Sequence, residues 1–244
     1  MVRRSSTVAA IALIAALISS PAFAQQSDEW EFTLSPYLWL SGLDGTVGVR
    51  GLETSVDLSA GDVLENLETA ALVRFEARKS RWAVLFDTVV IASQKDTAQP
   101  PGVVDIDQVV FEFGGAYRLN DVAEILVGGR WVSINTNAQL NLPMQTLTAS
   151  NDQDWVEPFA GIRLGTDLND RWLVGARGDI GGLGFGSTMM WNAEANLGFR
   201  VTPHISILAG YRVLDIDHDD DNNLDSLLYD VKTGGPIIRF DFGF

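Results

Sequence analysis

Apolar and polar residues alternate with period two over segment after segment of this chain, the mark of strands whose two faces meet different surroundings. In "RWLVGARGDI", Trp172, Val174, Ala176 and Ile180 share one face, and Arg171, Gly175, Arg177 and Asp179 the other. In "WNAEANLGFRV", Trp191, Ala193, Ala195, Leu197, Phe199 and Val201 oppose Asn192, Glu194, Asn196, Gly198 and Arg200. "VFEFGGAYRL" sets Phe111, Phe113, Tyr117 and Leu119 against Glu112, Gly114 and Arg118, and "VRFEAR" sets Val73, Phe75 and Ala77 against Arg74, Glu76 and Arg78. No amphipathic helix of ordinary length interrupts the series.

Tight polar turns at Lys79-Ser80, Asn120-Asp121, Asn169-Asp170 and Pro203-His204 alternate with longer connections at 42–68, 95–104, 138–152, 181–187 and 218–231. Short turns at one end and long loops at the other describe an up-and-down barrel. The pattern predicts ten strands, near 30–41, 69–79, 81–94, 105–119, 122–137, 153–167, 171–180, 188–201, 205–217 and 235–244. A further hairpin around Arg50-Gly51 would make twelve, and eight is the smaller even count. The expected fold class is therefore all-β, a closed antiparallel up-and-down transmembrane β-barrel. A short helix is expected in the first long connection. There "SAGDVLENLE" has Ser59 and Asp62 at capping-box spacing and an apolar stripe of Val63, Leu64 and Leu67. That helix would pack on the barrel rim or fold over its mouth as a lid, the rim being the favoured reading.

Composition changes this picture in three respects. Residues 1–24 carry Arg3 and Arg4, the apolar run "VAAIALIAALISS" and "PAFA" before Gln25, which reads as an export signal cleaved near Ala24. Residues 25–244 then form the barrel domain. Among 244 residues there is no cysteine, so stability must come from burial. Removing Arg3 and Arg4 leaves 15 basic against 32 acidic residues, a balance that excludes nucleic acid as a partner.

Alternation alone does not say which face is outside. A soluble periplasmic ligand-binding barrel would point its apolar face inward, and a membrane barrel would reverse this. The polar face carries Arg74, Arg78, Arg118, Arg130, Arg163, Arg177, Arg200, Arg212 and Arg239, with Glu76, Asp87, Glu112, Glu124, Glu157, Asp179, Glu194 and Asp241. Near-neutrality in so acidic a chain, with arginine rather than lysine, suits paired charges lining a lumen. Trp82, Trp172, Tyr117 and Phe199 beside short turns, and Trp155 and Trp191 beside long loops, make two aromatic belts. Both features favour the membrane barrel.

The leader, "FTLSPYLWLSG", the "GYR" at 210–212 and the closing "PIIRFDFGF" together resemble the small outer-membrane β-barrel proteins of Gram-negative bacteria, the OmpA-like and opacity-type group, in a branch known by architecture alone. The resemblance implies an outer-membrane location, contact with outer-membrane lipid and lipopolysaccharide, and handling by the outer-membrane assembly machinery. It also implies that the row Phe240, Phe242 and Phe244 is the signal read by that machinery.

Candidate chemistry is sparse. His204 falls in a short turn and His218 in a long loop, so they belong to opposite ends. The "DID" at 105–107 and "DIDH" at 215–218 are the material for an omptin-like protease, but Asp217 and His218 are adjacent and point apart on a strand. Ser226 near His218 is the one candidate pair for a lipid A-modifying hydrolase. Asp217, Asp219 and Asp221 have the opening spacings of a calcium loop without its glycine and terminal glutamate. The glycine-rich "GDIGGLGFGS" has no lysine and no following helix, so it is a tight hairpin rather than a phosphate loop. No catalytic, cofactor or metal residues are assigned. Barrels of about eight strands are filled by side chains, whereas those of about 16 hold aqueous channels. The expected role is accordingly a non-enzymatic outer-membrane barrel with a charged, largely filled lumen, structural or at most a narrow pore.

Overall fold

The computed structural model describes residues 29–49, 52–65, 67–98, 101–142, 145–185, 187–219 and 227–244. The expected leader lies outside them. Register begins at the short turns. Asn120 Oδ1 accepts the backbone N–H groups of Val122 and Ala123 at 2.9 and 2.8 Å, and Asn169 Oδ1 accepts those of Arg171 and Trp172, both at 3.0 Å. An asparagine side chain that mimics the backbone two residues on closes a turn without a longer loop. Ser80 takes a left-handed conformation (φ 54°) at the third turn.

From these turns run β1 (Glu31–Trp39), β2 (Gly42–Val49), β3 (Leu52–Leu58), helix α1 (Ala60–Glu65), β4 (Leu67–Lys79), β5 (Trp82–Ala98), β6 (Pro101–Arg118) and β7 (Ala123–Leu142). They continue as β8 (Gln145–Asp167), β9 (Trp172–Phe185), β10 (Ser187–Thr202), β11 (Ile205–Asp219) and β12 (Leu227–Gly243). Ten antiparallel strands, β1 and then β4 to β12, close the wall, with β12 returning to β1 through pairs such as Leu34↔Phe242 and Trp39↔Ile237. Phe32 and Phe244 exchange backbone hydrogen bonds at 2.9 and 3.0 Å, so the seam is laced to its end.

The hairpin expected between 42 and 68 exists but does not join the closed wall. Beyond Trp39 the chain stays on β12: Leu40 N–H reaches Pro236 O at 2.9 Å, and β2 then pairs along Gly42↔Gly234 to Val49↔Leu227. Gly235 permits this crossing, because a Cβ there would collide with the Leu40 carbonyl. Helix α1 is capped as its sequence predicts. Ser59 N–H and Oγ donate to Asp62 Oδ2 at 2.9 and 2.6 Å, and Asp62 N–H returns to Ser59 Oγ at 3.2 Å.

Three expected loops are strand instead, and in 181–187 β9 runs to Phe185, which pairs with Ser187 of β10. β5–β6 pair to Ala98↔Pro101 and β7–β8 to Leu142↔Gln145, so 95–104 and 138–152 continue their hairpins outward. Prolines near their tips, in "QPPG" and "NLPMQ", read as loop punctuation in the sequence although the backbone pairing runs out to them.

Outward positions form an apolar band. Around β1, β4, β5 and β6 the rings of Trp30, Phe32, Phe75, Phe86, Phe111 and Phe113 follow one another at 6.1–6.4 Å between centroids. Trp82 meets Tyr117 at 4.6 Å and Trp172 meets Phe199 at 5.1 Å beside the short turns. Trp191 belongs to the outer surface near the other end, with Lys232 Nζ 5.7 Å from its ring centre. Trp155, expected in the same belt, instead points inward and is 8% exposed. Val127 sits in the band at 56% exposure. Arginine at position 127 is expected to lower stability by ~2–4 kcal/mol against hydrocarbon and by almost nothing against water, as denaturant titration of the protein in bilayers measures.

Candidate functional site

Inward-facing side chains divide along the barrel axis into tiers of different chemistry. Toward the short-turn end is a vestibule of about 620 Å³, lined by Glu76, Arg78, Arg118, Glu124, Arg163, Arg200, Arg239 and Asp241 among others. Arg163 spans it, bonding Glu76 on β4 at 2.7 Å and Glu124 on β7 at 2.5 Å. Arg78 links the same two acids at 2.6 and 2.8 Å, and Arg118 adds a contact to Glu124 at 3.4 Å. Arg200 pairs with Asp167 at 3.0 Å on the short-turn rim, outside the expected set of partners.

The next tier is drier. Arg130 has no exposure, yet its Nη2 donates to Glu112 on β6 and to Asp179 on β9, both at 2.8 Å, and its Nη1 reaches the Met190 sulfur at 3.1 Å. Arg177 binds the other oxygens of the same acids, Glu112 Oε1 at 2.7 Å and Asp179 Oδ2 at 2.8 Å. The two guanidinium groups flank the Phe159 ring, 4.8 and 5.5 Å from its centre. Gly128 leaves room for that ring, since a Cβ there would lie 2.7 Å from it. Glu157 accepts the Ser187 hydroxyl and lies 3.8 Å from Arg130.

Across the same tier Asp87 gathers Arg74 at 2.9 Å, Arg212 at 3.5 Å and the Tyr37 hydroxyl at 2.8 Å. Glu194 takes Arg74 at 3.2 Å and Arg239 at 3.0 Å, while Arg239 also holds Asp241 at 2.8 Å. Asn192 joins the halves, donating to Asp179 at 2.9 Å and accepting from Arg212 at 3.0 Å. Of the charged residues named on the polar face, all but Arg200 pair with one another. Tyr37, Asn192, Asn196 and Ser187 complete the network. The inward parity of Asn192 and Asn196 was legible, but neutral side chains beside so many charges gave no reason to single them out, and Ser187 fell in an expected loop.

Toward the long-hairpin end the lumen is apolar, which the sequence did not suggest. Val89, Val110, Val132, Ile134, Trp155, Met190, Leu214, Ile216, Tyr229, Val231 and Ile237 make one buried cluster with Tyr37, and Trp39, Leu43, Leu72 and Ile91 pack against it. A smaller cluster of Ala83, Leu85, Ala116, Leu126 and Phe159 lines one side lower down. "WAVLFDTVV" is apolar on both faces, so its inward residues are masked by its outward ones.

His218 lies on β11 rather than in a loop, buried and stacked on Trp155 at 4.3 Å, and Asp217 has the opposite parity. His204 is exposed in the short turn at the other end. No His/Cys/Asp/Glu group that could hold a metal ion occurs among the described residues. Ser226 and Asp221 lie outside them, as does the Asp219 side chain.

No family model and no curated protein matches the chain. Among solved structures it is similar to Ail, the attachment invasion locus protein of Yersinia pestis, at 13% identity over 88% of this chain and 99% of that one, with a TM-score of 0.40. It is also similar to the outer membrane protease OmpT from Escherichia coli, at 8% identity over 92% and 99%, with a TM-score of 0.49. Neisserial surface protein A follows at 10% identity over 88% and 97%, with a TM-score of 0.33. Likeness at this level says nothing about activity, ligand or partner.

Removing one member of a buried ion network strands its partners, which typically costs ~3–5 kcal/mol. Arg130→Met is expected to show a loss of that size in detergent denaturation, and Arg130→Met with Arg177→Met, Glu112→Gln and Asp179→Asn, which removes both arginines and both shared acids, is expected to recover much of it. A single substitution as stable as the parent would refute the central role of Arg130.

Proposed function

We propose that this chain is a non-enzymatic outer-membrane β-barrel, exported by a leader cleaved near Ala24, with a structural role and no open pore. The observation that carries this reading is the apolar tier. It crosses the lumen above the ion pairs, so water in the vestibule meets a hydrocarbon stopper before the far end. Tyr229 on β12 meets the Gln108 side chain on β6 across that tier, which ties opposite walls together. A polar interior beneath an exposed apolar band supports membrane over soluble placement, because a water-soluble barrel has no use for so much outward hydrocarbon. The separation of Asp217 from His218 by strand parity supports the absence of a catalytic dyad. Outer-membrane lipid, lipopolysaccharide and the assembly machinery are the partners this reading requires, with no nucleic acid.

In planar bilayers the protein is expected to give no sustained conductance. Trp155→Ala, Met190→Ala and Leu214→Ala together should open a current by emptying the stopper. Steady selective current through the parent protein would overturn the closed reading. The row Phe240, Phe242 and Phe244 is proposed as the assembly signal on the strand that closes the seam. Deleting Phe244 is then expected to cut membrane-inserted protein several-fold, measured by fractionation and immunoblotting, and unchanged levels would refute it.

A further inference from the structure

Between β1 and β4 two neighbouring strands of the wall part company. β1 and β4 share six residue pairs, from Glu31↔Arg78 to Pro36↔Val73. Above Pro36, β1 leans onto β12 and becomes β2, while β4 stays with β5 as far as Leu67↔Ser93. Residues 37–41 and 67–72 therefore flank a wedge with no backbone ladder across it. Helix α1 covers the wedge. Ala60, Val63 and Leu64 of the helix, Leu40 of the β1 edge, and the inward-facing Leu72 and Trp39 line a crevice of about 30 Å³.

Three observations fit one occupant. The lining runs without a charged group from the exposed band at Leu38, which is 57% accessible, to Trp39, Leu72 and Ile91 against the apolar tier. Opening it breaks no strand pairing and moves only a six-residue helix whose Leu64 is already 50% exposed. Trp39 Nε1, in the lining, is buried without a hydrogen-bond partner among the described residues and leaves a donor for an oxygen of the amphiphile. We infer that the wedge between β1 and β4 is a lateral binding site for one alkyl chain of a membrane amphiphile, admitted from the bilayer when α1 lifts. This rests on the membrane reading above.

The chain has no cysteine, so a single introduced thiol reports cleanly. Ile91→Cys, behind the wedge, and Val132→Cys, in the same tier on β7, are compared with N-dodecylmaleimide dissolved in the bilayer. Only protein that floats with liposomes is labelled, so failure to insert, which would sink the membrane reading, is scored separately. Ile91→Cys is expected to react about tenfold faster than Val132→Cys, in keeping with a local opening. Excess dodecanol should slow it, and a charged water-soluble thiosulfonate should leave it unreacted. Removing the cap with Ser59→Ala and Asp62→Ala should speed labelling about fivefold, since a lost cap frees a short helix. Equal rates at the two positions, reaction with the charged reagent, or indifference to the cap would each overturn the inference.

Discussion

Arg130 is a charge with no solvent around it, and the molecule is arranged to make that tolerable. Its carboxylate partners come from β6 and β9, and a third acid, Glu157, stands on β8. No two-stranded unit can supply this set. Arg163 on β8 reaches Glu76 on β4, and Arg74 on β4 reaches Glu194 on β10, so the network as a whole exists only when the sheet has closed. A slip of one residue anywhere in the wall would turn these charges onto the apolar outer face and bring phenylalanines inside. Desolvation makes such a network a poor source of net stability but a severe judge of register.

Filling the lumen sets the second constraint. Ten strands enclose more space than wall side chains of one kind can fill well. The upper half is filled with aliphatic and indole groups, the lower half with guanidinium–carboxylate struts that stop short of one another and leave a vestibule. Arginine serves both parts because its plane stacks as well as it pairs. Arg130 and Arg177 flank Phe159, and Arg212 lies 4.9 Å from the Trp39 ring centre, where the charged and apolar tiers meet.

Much of this was written in the sequence, and what was hidden was hidden for physical reasons. "RWLVGARGDI" and "WNAEANLGFRV" announce strands and faces because the apolar outside and the charged inside of the barrel make opposite demands on successive residues. The asparagine turns fixed the ends of those strands. Where the two demands coincide, the pattern disappears. The inward residues of "WAVLFDTVV" are as apolar as the outward ones, so the stopper escaped notice. The hairpin extensions past Gln94 and Asn137 carry prolines near their tips, so they passed for loops. Trp155 was assigned by its type and place in the chain, and its inward parity proved decisive.

The weak point of the wall follows from the same geometry. One edge of β12 accepts β1 below and β2 above, so the chain that should have continued along β4 is spent on β12. The break lies toward the long-hairpin end of the wall, with a capped helix laid over it. That the bare stretch is bordered by leucine, isoleucine and tryptophan, rather than by the arginines that crowd the vestibule, decides what can occupy it. A hydrated ion would lose its water there for no return, whereas a hydrocarbon chain would exchange one apolar surrounding for another.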